Sequence, residues 1–193
     1  ESALYGDDFA HAKRGYRRYT DTTSLIDWYL VQEISANPDG FWCSYIYKER
    51  ADERLYFGPI WDFDICWNNC SRMGDVSKRL AIQFGYGSNY TIKGWYTRMW
   101  EDPWFKQAVC QRYEQLREQG LDEQMIAFVD SMAQVIRPSR IENFKRWSIN
   151  TKTYDEVFLF NTYDEYVENV KSFIQVHNEY LSKEFHRRCG LVA

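Results

Sequence analysis

The sequence predicts a mainly α domain carrying one small antiparallel β hairpin, and three observations support this. Apolar residues recur at helical spacing between recognisable caps over residues 24–36, and again from 103 to 189. Strand-like runs occur at Trp42–Lys48 and Arg54–Phe57, joined by the polar link Glu49–Glu53. Hydrophobic residues make up 45% and aromatic residues 18% of the 193 residues. That suffices to fill a core in a chain of this length, which buries roughly 70% of its unfolded surface.

Residues 1–20 have no clean period and read as an approach segment. Ser24 and Asp27 form a Ser-x-x-acid cap, after which Ile26, Leu30 and Ile34 recur every fourth residue. Leu25, Trp28, Tyr29 and Val31 widen that stripe, so this helix is expected to be buried on most sides and central. Asn37-Pro38-Asp39-Gly40 ends it in a turn whose residues each have a backbone reason to be there. The hairpin, residues 42–58, follows and runs into Gly58-Pro59-Ile60-Trp61-Asp62-Phe63-Asp64. Residues 68–94, rich in Asn, Gly and Ser, read as a long surface loop. Gly85-Tyr86-Gly87 lacks the third glycine of a dinucleotide site, and no Walker A run exists.

From residue 103 the chain reads as helices. Asp102 caps the first, with Pro103 opening it and Phe105, Val109 and Leu116 on its face up to Gly120. Asp122 is expected to cap a second, bearing Met125, Val129, Met132 and Ile136 and stopped by Pro138. A shorter helix holds Ile141, Phe144 and Trp147. The last opens with a Thr162…Glu165 capping box and carries Tyr166, Val170, Phe173, His177 and Tyr180 to Gly190.

Composition excludes several functions. With 24 basic and 28 acidic residues, net −4, the chain lacks the basic excess of a nucleic-acid partner. No apolar run reaches the eighteen or so residues of a membrane span, so no transmembrane segment is expected. The chain opens at Glu1 with neither start methionine nor signal peptide, which reads as a piece of a longer protein. Cys43, Cys66, Cys70, Cys110 and Cys189 are expected to be reduced core residues. Cys66 and Cys70 are close enough to pair but do not complete a zinc site. His177, on an apolar helix face, reads as a satisfied core histidine, and the eight tryptophans read as mostly core.

The concentrated chemical signal is Asp62-Phe63-Asp64. In an extended segment residues two apart share a side, so both carboxylates can reach one hard cation while Phe63 turns to the core. The competing reading is a turn whose acids cap neighbouring amides. Asp39 favours the former. A helix, a loop with an Asp, two strands and a second Asp follow the order of protein-kinase catalytic lobes. There one carboxylate stays free to accept a proton and another neutralises phosphate charge through a metal.

The run Asp27-Trp28-Tyr29-Leu30-Val31-Gln32-Glu33-Ile34, then Asn37-x-Asp39, Ser44-x-Ile46-Tyr47-Lys48 and Gly58-Pro59-Ile60-Trp61-Asp62-Phe63-Asp64, resembles the spore coat protein H (CotH) kinase family. Asp102-x-x-Phe105 and Arg112-Tyr113 fit the same pattern more loosely, so the resemblance is good over residues 19–120 and weaker beyond. It implies an atypical, secretion-associated kinase fold that phosphorylates serines on coat proteins, with this chain as the C-terminal, catalytic lobe. ATP is then the co-substrate, Mg2+ or Mn2+ the metal, and a spore-coat, cell-surface or secreted protein the acceptor, with a matching location for the enzyme. Asp39 matches the family's catalytic aspartate and Asp62 its metal-binding aspartate, with Asp64 a second ligand. Asn68 and Asn69 lie where amide oxygens could help bind metal or phosphate. Ser44 stands where conventional kinases place an Asn on the second metal. The nucleotide-gripping half with its basic residue is missing from this chain, and Lys48 reads as an exposed strand lysine rather than its substitute. Half a cleft is therefore expected to be inactive alone. Two other readings use the same residues: a non-catalytic coat or surface module, and a carbohydrate-active protein exploiting paired acids and abundant tryptophan.

Overall fold

The computed structural model describes residues 1–152 and 155–190. It is mainly helical, as expected, with one antiparallel two-stranded sheet. In chain order the elements are α1 (Ser2–Tyr5), α2 (Thr22–Ser35), β1 (Ile46–Lys48), β2 (Leu55–Phe57), α3 (Ala81–Phe84), α4 (Ile92–Met99), α5 (Pro103–Glu118), α6 (Leu121–Val135), α7 (Arg137–Arg146) and α8 (Tyr163–Cys189).

Helix α2 is the centre of the fold. Leu25, Trp28, Tyr29, Leu30 and Ile34 are all buried, so apolar residues on most sides did mean burial on most sides. Rings from four segments close around it: Tyr96 stacks on both Trp28 and Tyr29 at 5.3 and 5.2 Å, with Phe41, Phe57 and Phe105 edge-on or tilted nearby. The polar tips are satisfied inside this cluster. Tyr96 Oη donates to the Leu25 carbonyl at 2.9 Å and Trp100 Nε1 to Tyr29 Oη at 3.0 Å. Arg112 on α5 reaches Asp27 on α2 at 2.7 Å.

Several sequence expectations change. Asp21, not Ser24, caps α2: its side chain accepts from the Ser24 amide at 2.8 Å, so the helix starts earlier. The strands are shorter than expected, pairing Ile46 with Phe57, Tyr47 with Tyr56 and Lys48 with Leu55. Residues 42–43 are lost to the sheet because the Trp42 and Cys43 amides donate to the Asp39 carbonyl at 2.9 and 2.8 Å, extending the turn. Residues 68–94 are not a surface loop. Val76, Leu80, Ala81, Ile82 and Phe84 are buried, and α3 and the start of α4 lie within the segment. Their apolar residues fall in pieces too short for a period. Gly120 occupies the N-cap of α6 in a left-handed conformation, with Asp122 inside the first turn, and Pro138 opens α7 rather than merely ending α6. Asp102 caps α5, and the Thr162/Glu165 box caps α8, both as expected. Of the tryptophans, Trp28 and Trp100 are buried while Trp42, Trp61 and Trp147 are more than half exposed, because the latter sit in turns and helix ends rather than on packed faces.

The cysteines correct another expectation. Cys110 on α5 and Cys189 at the end of α8 form a disulfide across 79 residues of sequence, leaving Cys43, Cys66 and Cys70 free. Spacing alone could not select this pair. Closing so long a loop restricts the unfolded chain by about 4 kcal/mol in the chain-entropy picture. Cys189→Ser is therefore expected to lower unfolding stability by about 2–4 kcal/mol in urea titrations, whereas an unchanged midpoint would mean the bond contributes nothing.

Candidate active site

The C-terminus of α2 and the chain beyond β2 meet at one open cleft of about 590 Å³, whose lining includes Asp39, Asp62, Asp64, Trp42, Cys43, Arg72 and Tyr86. The three aspartates singled out from the sequence thus come together. Asp39 is set by a dense turn. Ala36 ends α2 with a left-handed backbone (φ 51°), and the Asn37 amide bonds back to the Gln32 carbonyl at 3.0 Å. Gly40 follows, where a Cβ would lie 2.1 Å from the Gln32 side-chain oxygen and would require that side chain to move. On the far wall the Tyr86 amide donates to the Pro38 carbonyl at 2.7 Å, so the supposed loop 68–94 buttresses the Asp39 turn.

Asp62 differs from expectation in its backbone. The segment is not extended there: φ is 60°, the left-handed region that Asp tolerates better than most residues. The two carboxyls still face the same cleft and interact through their charges. Phe63, between them, is half-buried. The nearby Asp64 charge, then partial desolvation, pushes the Asp62 carboxyl above its ordinary value, with Asp39 adding to the effect. Asp39 is also raised, chiefly by burial; Arg72 opposes and Asp64 reinforces that shift. Crowded carboxylates of this kind are relieved by a proton or a cation. An oxygen-only pair with room around it suits Mg2+ or Mn2+, with the remaining ligands from water or phosphate. Among the described residues no group of three or more His, Cys, Asp or Glu side chains is placed to hold a metal ion.

Asn68 and Asn69 do not join the cleft. The Asn68 oxygen accepts from the Val76 amide at 2.8 Å, and the Asn69 oxygen from the Val157 amide at 3.1 Å. Both amides fasten loops. Ser44 turns its hydroxyl to the Gly40 carbonyl, and Lys48 is exposed with its ammonium on the Glu49 carbonyl at 3.4 Å. Sequence reasoning missed Arg72, which lies over the Tyr86 ring at 5.1 Å and pairs with Asp155 at 2.5 Å. Nothing local marks it, since its partners lie 14 and 83 positions away in a segment read as loop.

The family model of the CotH kinase proteins matches residues 4–181 of this chain. The chain belongs to the CotH kinase family. No curated protein and no solved structure matches it. The CotH match extends well past residue 120, where the motif resemblance weakens, and takes in most of α8.

Behind the cleft, Glu33 is fully buried. Its carboxylate accepts from the Ala81 and Ile82 amides at 2.5 and 3.2 Å and holds the start of α3. His177 beside it is a buried core histidine with its ring nitrogens 3.0 and 2.7 Å from the Ser77 and Glu33 carbonyls, of which the neutral ring donates to one. Burial pushes the Glu33 carboxyl up to about 7, against hydrogen bonds from Tyr29 and the two amides. The folded state therefore keeps a proton that the unfolded chain releases above pH 4.5. The stability linked to Glu33 is complete below that value and is lost as pH rises toward 7. His177, lowered by burial, acts oppositely, losing stability as pH falls below its ordinary 6.5. Urea unfolding at pH 5 and 7.5 should show that Glu33→Gln removes part of the decline toward neutral pH; identical slopes in both proteins would refute the assignment.

Proposed function

We propose that this chain is the C-terminal lobe of a CotH-type protein kinase that transfers the γ-phosphoryl group of ATP to a serine or threonine hydroxyl on a coat or surface protein. Support comes from one observation above all: Asp39 shares a single cleft with Asp62 and Asp64, close enough for their charges to raise the Asp62 carboxyl. In this reading Asp39 accepts the acceptor's hydroxyl proton as the new O–P bond forms and the bond to ADP breaks. Its raised proton affinity makes it a better base than an ordinary exposed aspartate. Asp62 and Asp64 would hold Mg2+ or Mn2+, which when bound neutralises phosphate charge. Arg72 adds positive charge to the same wall. The Cys110–Cys189 disulfide suits an oxidising, secreted or surface location.

Carbohydrate binding has one observation in its favour. Trp42, on the cleft wall, and Trp61, next to Asp62, are 59% and 55% exposed, as sugar-stacking platforms are. The separating experiment incubates the full-length protein with radiolabelled ATP and Mn2+. Metal-dependent labelling of protein that a chelator abolishes supports the kinase. Oligosaccharide binding with no metal dependence and no labelling would replace it.

A further inference from the structure

The two halves of the cleft lie 23 residues apart in sequence, and one buried side chain joins them. Asn37 is 0% exposed. Its Oδ1 accepts from the Asp39 amide at 3.0 Å, and its Nδ2 donates to the Asp62 carbonyl at 3.4 Å. The orientation of the amide is fixed by its partners: an N–H needs the oxygen and a carbonyl needs the NH2, so the reversed amide would lose both bonds. An aspartate there offers no donor to Asp62, and an alanine offers neither bond. The Asp62 carbonyl also belongs to a left-handed residue, a backbone state that surrounding contacts must hold.

We propose that Asn37 is a positioning residue that sets the Asp39 turn and the Asp62 turn in register with each other. This rests on the phosphoryl-transfer reading for its catalytic consequence, though not for the tie itself. Asn37 touches no reacting atom and acts only through the two aspartates. Displacing either by about 1 Å is enough to slow transfer by about 100-fold.

The test compares Asn37→Ala and Asn37→Asp with wild type in the full-length protein, by steady-state kinetics per folded molecule and by hydrogen exchange of single amides. For Asn37→Ala, kcat should fall about 10- to 100-fold with the KM for ATP within about twofold. The Asp39 amide should exchange faster while the Ala81 amide, held by Glu33, keeps its rate. Asn37→Asp keeps the oxygen, so Asp39 should stay protected while kcat still falls. Should the alanine variant not fold, the aspartate variant carries the test. A kcat per folded molecule equal to wild type, or loss explained wholly by unfolding, overturns the proposal. If wild type shows no Asp62-dependent transfer, the kinase reading has failed, and the exchange result decides the tie. Unchanged Asp39 exchange in Asn37→Ala overturns it, and faster exchange confined to the Asp39 turn supports it.

Discussion

Asp62→Ala is expected to lower phosphoryl transfer by the full-length protein by about 10³-fold or more, without unfolding it. Asp62 is exposed, so its removal leaves no cavity, and its proton affinity is already raised by Asp64. The substitution should ease that repulsion but puts alanine in a left-handed backbone, so stability should fall by about 1 kcal/mol, well short of unfolding. What it removes is half of the oxygen pair proposed to hold the cation. A loss of 10³ corresponds to about 4 kcal/mol of transition-state stabilisation, within the several kcal/mol a metal supplies by neutralising phosphate charge. Transfer assays with Mn2+ alongside thermal unfolding check this. A variant that stays folded and transfers normally would remove Asp62 from the chemistry.

The second large effect belongs to Asp39. Asp39→Asn keeps the shape of the turn, since the amide held by Asn37 and the carbonyl that accepts from Trp42 and Cys43 both belong to the backbone. Only the proton acceptor is lost, and general-base catalysis contributes about 10²–10⁴. The wild-type rate should rise with pH through a proton affinity above the ordinary 3.8 of an aspartate, because burial raises Asp39. That acid limb should be missing in Asp39→Asn. Persistence of the same limb would assign it to another group.

Much of this was legible in the sequence because its causes are local. Caps such as Asp102 with Pro103 and Thr162 with Glu165 act over three residues, and the four-residue recurrence of Ile26, Leu30 and Ile34 is a property of one helix. The Asp39 turn and the Asp62-Phe63-Asp64 run were equally readable, as both are contiguous. Where the cause is distant, the sequence was silent. Arg72 reaches the cleft because the 3₁₀ turn Ser71–Met73 and α3 pack residues 71–88 back onto the α2 terminus. The Cys110–Cys189 bond depends on α5 and α8 lying together. Asn68 and Asn69 misled because an Asn next to an acidic motif reads as a ligand, while its actual partners are amides at residues 76 and 157. Asp62 misled in a subtler way: the expected juxtaposition with Asp64 is present, but through a left-handed turn instead of strand alternation.

The division of labour between Asp39 and Asp62 is tested most directly by titrating Mn2+–ATP into the full-length wild type, Asp39→Asn and Asp62→Ala in a calorimeter. Asp39→Asn is expected to bind within about twofold of wild type although it transfers about 10²–10⁴ more slowly, and Asp62→Ala to bind about tenfold or more weakly. Equal binding by Asp62→Ala and wild type, or equal weakening in both variants, would contradict separate roles for a base and a metal ligand in this cleft.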